Sequence, residues 1–281
     1  MKRELSASFL FCIGLFFGGC LGLGESYAQH AWFLPNAEKD RAFVSSPEGI
    51  TYLKEYNFDT VVTWASWYQP RNESARPEKP WGRELYRIHP EYQDVYKSIT
   101  DRLRKADIHV IAYVHPWNIT HAPEEYKLRD VLRFCKRMRE DYGLSGLYMD
   151  GPYWGNEVIT LMYWKAIGKV FGLDNRFIAH DSLTAKTVYW HGRWIHLAHW
   201  VLVGEDDPTI VTDLDLDYHL TPTRDGPKFG FILKMPKGTS RPEQREMWCR
   251  LAKKGITTRA MWGWMKTLFD ESYVPCLAKE N

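Results

Sequence analysis

Leu144-Ser145-Gly146-Leu147-Tyr148-Met149-Asp150-Gly151-Pro152-Tyr153-Trp154 is the stretch whose reading decides the fold. A short apolar run, Gly146 to Met149, stops abruptly at Asp150-Gly151-Pro152, the punctuation of a buried strand running out into a turn. Asp150 therefore stands at a strand's carboxyl end. Two roles are open to it there. The carboxylate opens an Asp-Gly turn by bonding its own backbone, or it faces a ligand, as strand-end acids do in parallel α/β barrels. The surrounding chain has to decide between them.

Upstream, residues 124–142 carry apolar side chains at Tyr126, Val131, Phe134, Cys135 and Met138, a helical period, with Gly143 placed as a C-cap. Before that helix, Ile108-His109-Val110-Ile111-Ala112-Tyr113-Val114 is the near-continuous apolar run of a parallel strand covered on both faces. Residues 90–105 read as a helix through Tyr92, Val95, Tyr96, Ile99 and Leu103, and Phe58-Asp59-Thr60-Val61-Val62-Thr63-Trp64 as a β-branched strand. Between them, residues 65–89 hold Pro70, Pro77, Pro80 and Gly82 and form a long loop. Ser45-Ser46-Pro47 starts a further helix running to about Tyr56, and residues 30–35 supply a first strand.

Downstream the alternation continues. Residues 156–171 are helical and end at Gly172; residues 176–181 form a strand ending in His180 and Asp181. Residues 199–204 form another, leading into Glu205-Asp206-Asp207-Pro208, and strands at 228–234 and 257–264 flank a helix at 242–254. Strands alternating with helices make a parallel sheet. Eight of them predict an α/β chain folded as a single (β/α)₈, or TIM, barrel, with Asp150 closing strand four and Glu205 strand six. No internal repeat or low-complexity segment competes with this reading.

Residues 1–28 read as a signal peptide rather than as part of the fold. Lys2 and Arg3 precede an apolar run from Phe9 to Leu23, and Ser26-Tyr27-Ala28 offers small residues for cleavage. Phe17-Gly18-Gly19-Cys20 also fits a lipoprotein signal that leaves a lipid anchor on Cys20, so the expected location is periplasmic, secreted or lipid-anchored. Residues 29–281 then make one domain of about the usual barrel size. No later stretch is long and apolar enough to span a bilayer. A net charge of +2 gives no footprint for nucleic acid. Cys12 and Cys20 fall in the leader, leaving Cys135, Cys249 and Cys276, which leaves room for one disulfide but no Cys-x-x-Cys zinc site.

Carboxylates at the ends of strands four and six are what glycosidic cleavage requires: one attacks the anomeric carbon or activates water, the other protonates the leaving oxygen. Asp150 fits the first role. Glu205, with Asp206 and Asp207 disfavouring a further charge, fits the second. The chain also has thirteen Trp, many just past strand ends. Trp64, Trp67, Trp117, Trp154, Trp262 and Trp264, with Tyr148 and Tyr153, offer flat faces to a pyranose ring, or else fill the core. His115, His180 and Asp181 add polar groups at the same mouth. His191, His196 and His199 lack the spacing of a helical zinc pair, and Asp213, Asp215 and Asp217 lack the glycine and terminal Glu of a calcium loop, so no metal is expected. No phosphate-binding Gly loop or Gly-x-Ser-x-Gly elbow occurs, and no cofactor is expected.

The succession Phe58 to Trp64, then Ile111-Ala112-Tyr113 ahead of Trp117, then Gly146-Leu147-Tyr148-Met149-Asp150-Gly151 resembles the barrels of retaining α-glycosidases of the α-galactosidase and α-N-acetylgalactosaminidase type. That resemblance implies Asp150 as nucleophile, Glu205 as acid/base and an oligo- or polysaccharide as substrate. Tyr148 and Met149 stand where that group has a Lys, Glu205 replaces its more usual Asp, and no C-terminal β-sandwich follows Trp264. Two other functions fit the same residues: a catalytically silent, Trp-rich barrel that binds glycans, and a metal-dependent polysaccharide deacetylase.

Overall fold

The computed structural model of the chain describes residues 30–70, 83–114, 128–150, 157–172, 176–181, 200–203, 228–231, 238–253, 257–261 and 264–277. In chain order these form β1 (Ala31–Leu34), α1 (Glu38–Ser45), α2 (Pro47–Glu55) and β2 (Thr60–Thr63). A hairpin of β3 (Tyr68–Pro70) and β4 (Arg83–Ile88) follows, then α3 (Gln93–Lys105), β5 (His109–Val114), α4 (Leu128–Tyr142), β6 (Gly146–Asp150) and α5 (Glu157–Phe171). The remainder is β7 (Arg176–Asp181), β8 (Trp200–Val203), β9 (Lys228–Phe231), α6 (Arg241–Lys253), β10 (Thr257–Met261), α7 (Trp264–Leu268), a π-helical turn Phe269–Tyr273 and α8 (Val274–Leu277).

Eight strands close in the order β1-β10-β9-β8-β7-β6-β5-β2, with β1 pairing in parallel to both β2 and β10. Each strand read from the sequence has its counterpart, and Asp150 ends the fourth around the barrel. The local signals act as their chemistry demands. Ser46 caps α2 by accepting from the Gly49 N–H at 2.9 Å, ahead of Pro47 in the first turn. Gly143 takes φ of +68° past the end of α4, where its N–H donates to Arg139 O at 2.9 Å, an αL stop, and the Leu144 N–H donates to Met138 O at 3.2 Å. Ser240 and Glu243 form a capping box before α6, the Ser240 N–H donating to the Glu243 carboxylate at 2.7 Å.

Three elements differ from the sequence reading. α1 was not expected, because Ala37 at its N-cap provides no side-chain bond and only Asp40 and Val44 of its residues are buried. The long loop after β2 contains the β3–β4 hairpin, whose register slips between Tyr68 and Gln69 and whose Pro70 is tolerated at the end of a short antiparallel pair. The last strand ends at Met261, so Trp264 opens α7 rather than closing β10. Its sequence neighbour Gly263 separates the two periodicities, and from Trp264 the apolar spacing through Leu268 is helical.

That final run is fastened to the barrel. Phe269 and Tyr273 stack at 4.9 Å and enclose His30, just ahead of β1, at 5.4 and 5.1 Å, while Trp248 of α6 meets both rings edge-on. Cys249 of α6 is disulfide-bonded to Cys276 of α8, and Cys135 stays free and buried. Among the described residues no helix is long and apolar enough to cross a membrane.

At the opposite end of the strands from Asp150, the Arg176 guanidinium bridges two neighbours. Its Nη2 donates to His109 Nε2 at 3.1 Å and its Nη1 lies 3.7 Å from Asp59 Oδ2. Here the strands also approach closely: a Cβ on Gly146 would lie 1.8 Å from the Arg176 carbonyl oxygen. Only glycine admits that approach.

Two outcomes follow for stability. Gly146→Ala must push β6 off β7 and is expected to cost about 3 kcal/mol, lowering Tm by roughly 6–12 °C in a thermal melt. Cys276→Ser removes a cross-link between residues 27 apart in sequence. By loop-closure entropy it is expected to cost about 3.5 kcal/mol, and a reducing agent should lower the wild-type Tm to about that of the variant while leaving the variant unchanged.

Candidate functional site

Asp150 keeps 22% of its side chain exposed at the carboxyl end of β6, and both of its oxygens have partners. The Tyr113 hydroxyl, from β5, donates to Oδ2. His180, paired with Asp150 in the β6–β7 register, brings Nδ1 to 2.6 Å from Oδ1 and is itself only 1% exposed. The ring N–H points off the line to the oxygen, and among the described residues Nε2 is buried without a hydrogen-bond partner. The separation decides how the contact is read, because at 2.6 Å nothing else fits between nitrogen and oxygen.

Below the carboxylate the interior is aromatic. Phe33 of β1 meets Tyr148 of β6 edge-on at 4.8 Å, a contact that spans the inside of the barrel. Tyr148 stacks on Tyr113 at 5.6 Å and faces His180 at 5.8 Å; Trp64 lies against Tyr113 at 4.2 Å and Phe33 at 5.4 Å. The rings hold one another's rotamers, and the two groups touching Asp150 are part of that packing. Near this same end of the barrel the Asn36 N–H, just past β1, donates to Ser66 Oγ, just past β2, at 2.8 Å.

The expected site residues separate accordingly. Asp150 and His180 are brought together, and Trp64, packed on Tyr113, is partly exposed. Tyr148 is fully buried, so it forms the floor under the carboxylate and has no face free for a sugar. Trp67 is likewise corrected to core. It is fully buried, its indole N–H donates to Leu34 O at 2.9 Å, and it packs against Tyr96 at 5.1 Å. His180 is enclosed beside Asp150 rather than open at the mouth. The backbones of Asp181 and Trp264 lie at the end of β7 and the start of α7. Glu205, His115, Trp117, Tyr153, Trp154 and Trp262 lie outside the described residues, as do His191, His196, His199 and the Asp213 to Asp217 run.

Tyr113 was not singled out from the sequence. Its signal was available in the alternation of β5, where an inward position one residue short of the strand end carries a side chain long enough to reach the next layer. Among the described residues no three His, Cys, Asp or Glu side chains gather as a metal site requires.

No protein-family model matches the chain, and no curated protein matches it in sequence. Solved structures match it in fold. An α-amylase from Geobacillus thermoleovorans, complexed with acarbose, superposes with a TM-score of 0.56 at 11% identity, over 84% of this chain and 70% of that one. An isomalto-dextranase from Arthrobacter globiformis, complexed with panose, gives 0.55 at 9% identity, over 89% of this chain and 55% of that one. A putative α-galactosidase from Bacteroides fragilis gives 0.54 at 10% identity, over 83% and 55%. The chain thus spans just over half the length of the last two. What it shares with these proteins is architecture: it has the TIM-barrel fold found in these glycoside hydrolases.

Proposed function

We propose that the chain is an exported glycoside hydrolase of the retaining type, with Asp150 as nucleophile and Glu205 as acid/base. The observation that carries this reading is a partly exposed carboxylate at the carboxyl end of the fourth barrel strand, with a hydroxyl on one oxygen and an imidazole nitrogen at the other. A hydroxyl donating to one oxygen and an imidazole nitrogen against the other suit the ionised form, which is the form that attacks carbon. In the first step an Asp150 oxygen bonds to the anomeric carbon as the glycosidic C–O bond breaks and Glu205 gives its proton to the leaving oxygen. In the second, water loses a proton to Glu205 and displaces Asp150, restoring the starting configuration. Glu205 enters by its position two residues beyond β8.

The substrate class is an oligo- or polysaccharide. Fold-level likeness to proteins whose structures hold acarbose or panose supports it, as does the partly exposed Trp64 packed on Tyr113. The sequence resemblance to α-galactosidase and α-N-acetylgalactosaminidase barrels makes α-linked galactosides and N-acetylgalactosaminides the first substrates to try. Export rests on residues 1–28 and gains support from the Cys249–Cys276 disulfide, since such bonds persist in oxidising compartments.

Protein comprising residues 29–281 is to be screened against α- and β-linked aryl glycosides, with Asp150→Asn and Glu205→Gln alongside. The wild type is expected to turn over at least one α-galactoside or α-N-acetylgalactosaminide, and Asp150→Asn to lose about 10³-fold or more in kcat. Proton NMR of the first-formed sugar should show the substrate's own anomeric configuration. Inversion would reassign Asp150 as base, and glycan binding without turnover, surviving in Asp150→Asn, would replace the hydrolase with a binding barrel.

A further inference from the structure

We propose that Tyr113 and His180 are positioning residues that clamp the Asp150 carboxylate, and that His180 is not a sugar ligand. This deepens the reading of Asp150 as nucleophile and rests on it for its consequence, though not for its geometry.

Three observations carry the clamp. First, the two contacts fall on different oxygens, Tyr113 on Oδ2 and His180 Nδ1 on Oδ1 at 2.6 Å, so together they fix the carboxylate's rotation about its Cβ–Cγ bond. One contact alone would leave it free to turn. Second, burial is graded. His180 is 1% exposed and Tyr113 1%, whereas Asp150 is 22% exposed, so the two contacting groups are enclosed and the carboxylate is not. A group that touched sugar would share the exposure. Third, both donors are themselves immobilised. Tyr113 lies between Trp64 at 4.2 Å and Tyr148 at 5.6 Å, Tyr148 also faces the His180 ring at 5.8 Å, and β-sheet register sets His180 beside Asp150. A reactive group needs such a locked support to stay in its productive geometry.

Among the described residues neither ring nitrogen of His180 meets hydrogen-bond geometry, and Nδ1, 2.6 Å from Oδ1, is the one with an acceptor within reach, so the clamp places the ring's proton there. Asn carries its amide nitrogen on Cγ, as His carries Nδ1, whereas Gln places it one bond further out. The clamp therefore predicts an order among variants that simple space-filling does not.

The first arm of the test needs no substrate. Imidazole ¹⁵N and exchangeable-proton NMR of the residue 29–281 protein, with His180 assigned by its absence in His180→Asn, should show a protonated Nδ1 with a far-downfield proton. That signal should shift upfield in Asp150→Asn. A His180 spectrum unchanged by Asp150→Asn overturns the clamp. The second arm is kinetic, on whichever aryl glycoside is cleaved. Tyr113→Phe keeps the ring stack and is expected to lower kcat about 10- to 100-fold with KM within about twofold, the value of a hydrogen bond to a charged group. His180→Asn should retain more kcat than His180→Gln. A rise in KM at unchanged kcat would make His180 or Tyr113 a sugar ligand and overturn the proposal. Should His180 variants fail to fold, Tyr113→Phe and the Asp150→Asn spectrum decide it. If no glycoside is cleaved but the NMR signature responds to Asp150→Asn, the clamp stands and the hydrolase reading falls.

Discussion

Closure of eight strands into a ring forces alternate residues of each strand into an interior that only side chains can fill. That constraint governs this molecule. Phe33, Tyr113, Tyr148 and Trp64 meet inside the ring, with Phe33 and Tyr148 reaching each other from strands that are not neighbours. Large rings pack the space densely and leave little room for rotation. A carboxylate set on top of such a layer inherits its rigidity, which is why Asp150, Tyr113 and His180 can be held in a fixed relation although they come from three strands.

The same ring has two ends with opposite chemistry. At the amino end, Arg176, His109 and Asp59 are tied together and Gly146 lets β6 approach β7. These contacts read as stability. At the carboxyl end, Asp150 has donors behind it and an exposed edge in front. A half-buried charge of that kind is retained against its desolvation cost only where partners hold it. The two ends of β6, four residues apart, thus serve different purposes.

Stability at the margin of the barrel comes from the C-terminal run. The π-helical turn presents Phe269 and Tyr273 together on His30, and the Cys249–Cys276 bond ties α8 to α6. Because β1 and β10 are the strands whose pairing closes the ring, the His30 contact secures the start of one while the disulfide ties the helix before the other to the end of the run that follows it.

Fold class and strand count were legible in the sequence because burial on both faces writes a continuous apolar run, and turn residues mark where it ends; Gly146 to Asp150 and residues 108–114 are such cases. Asp150 was legible for the same reason. Elements without that periodicity were not: α1 buries only two of its eight residues, and the β3–β4 hairpin is short and interrupted. Nor could strand-end position separate a ligand platform from a core ring. Trp64 and Trp67 lie three residues apart, yet a hydrogen bond to Leu34, 33 residues away, seals Trp67 in the core while Trp64 stays at the edge. The sequence by itself determined that a carboxylate stands at the end of the fourth strand, since alternation and turn chemistry are local. Only the tertiary structure decided what holds it, because Tyr113, 37 residues upstream, and His180 reach Asp150 through the register of neighbouring strands, and register is a property of the closed ring.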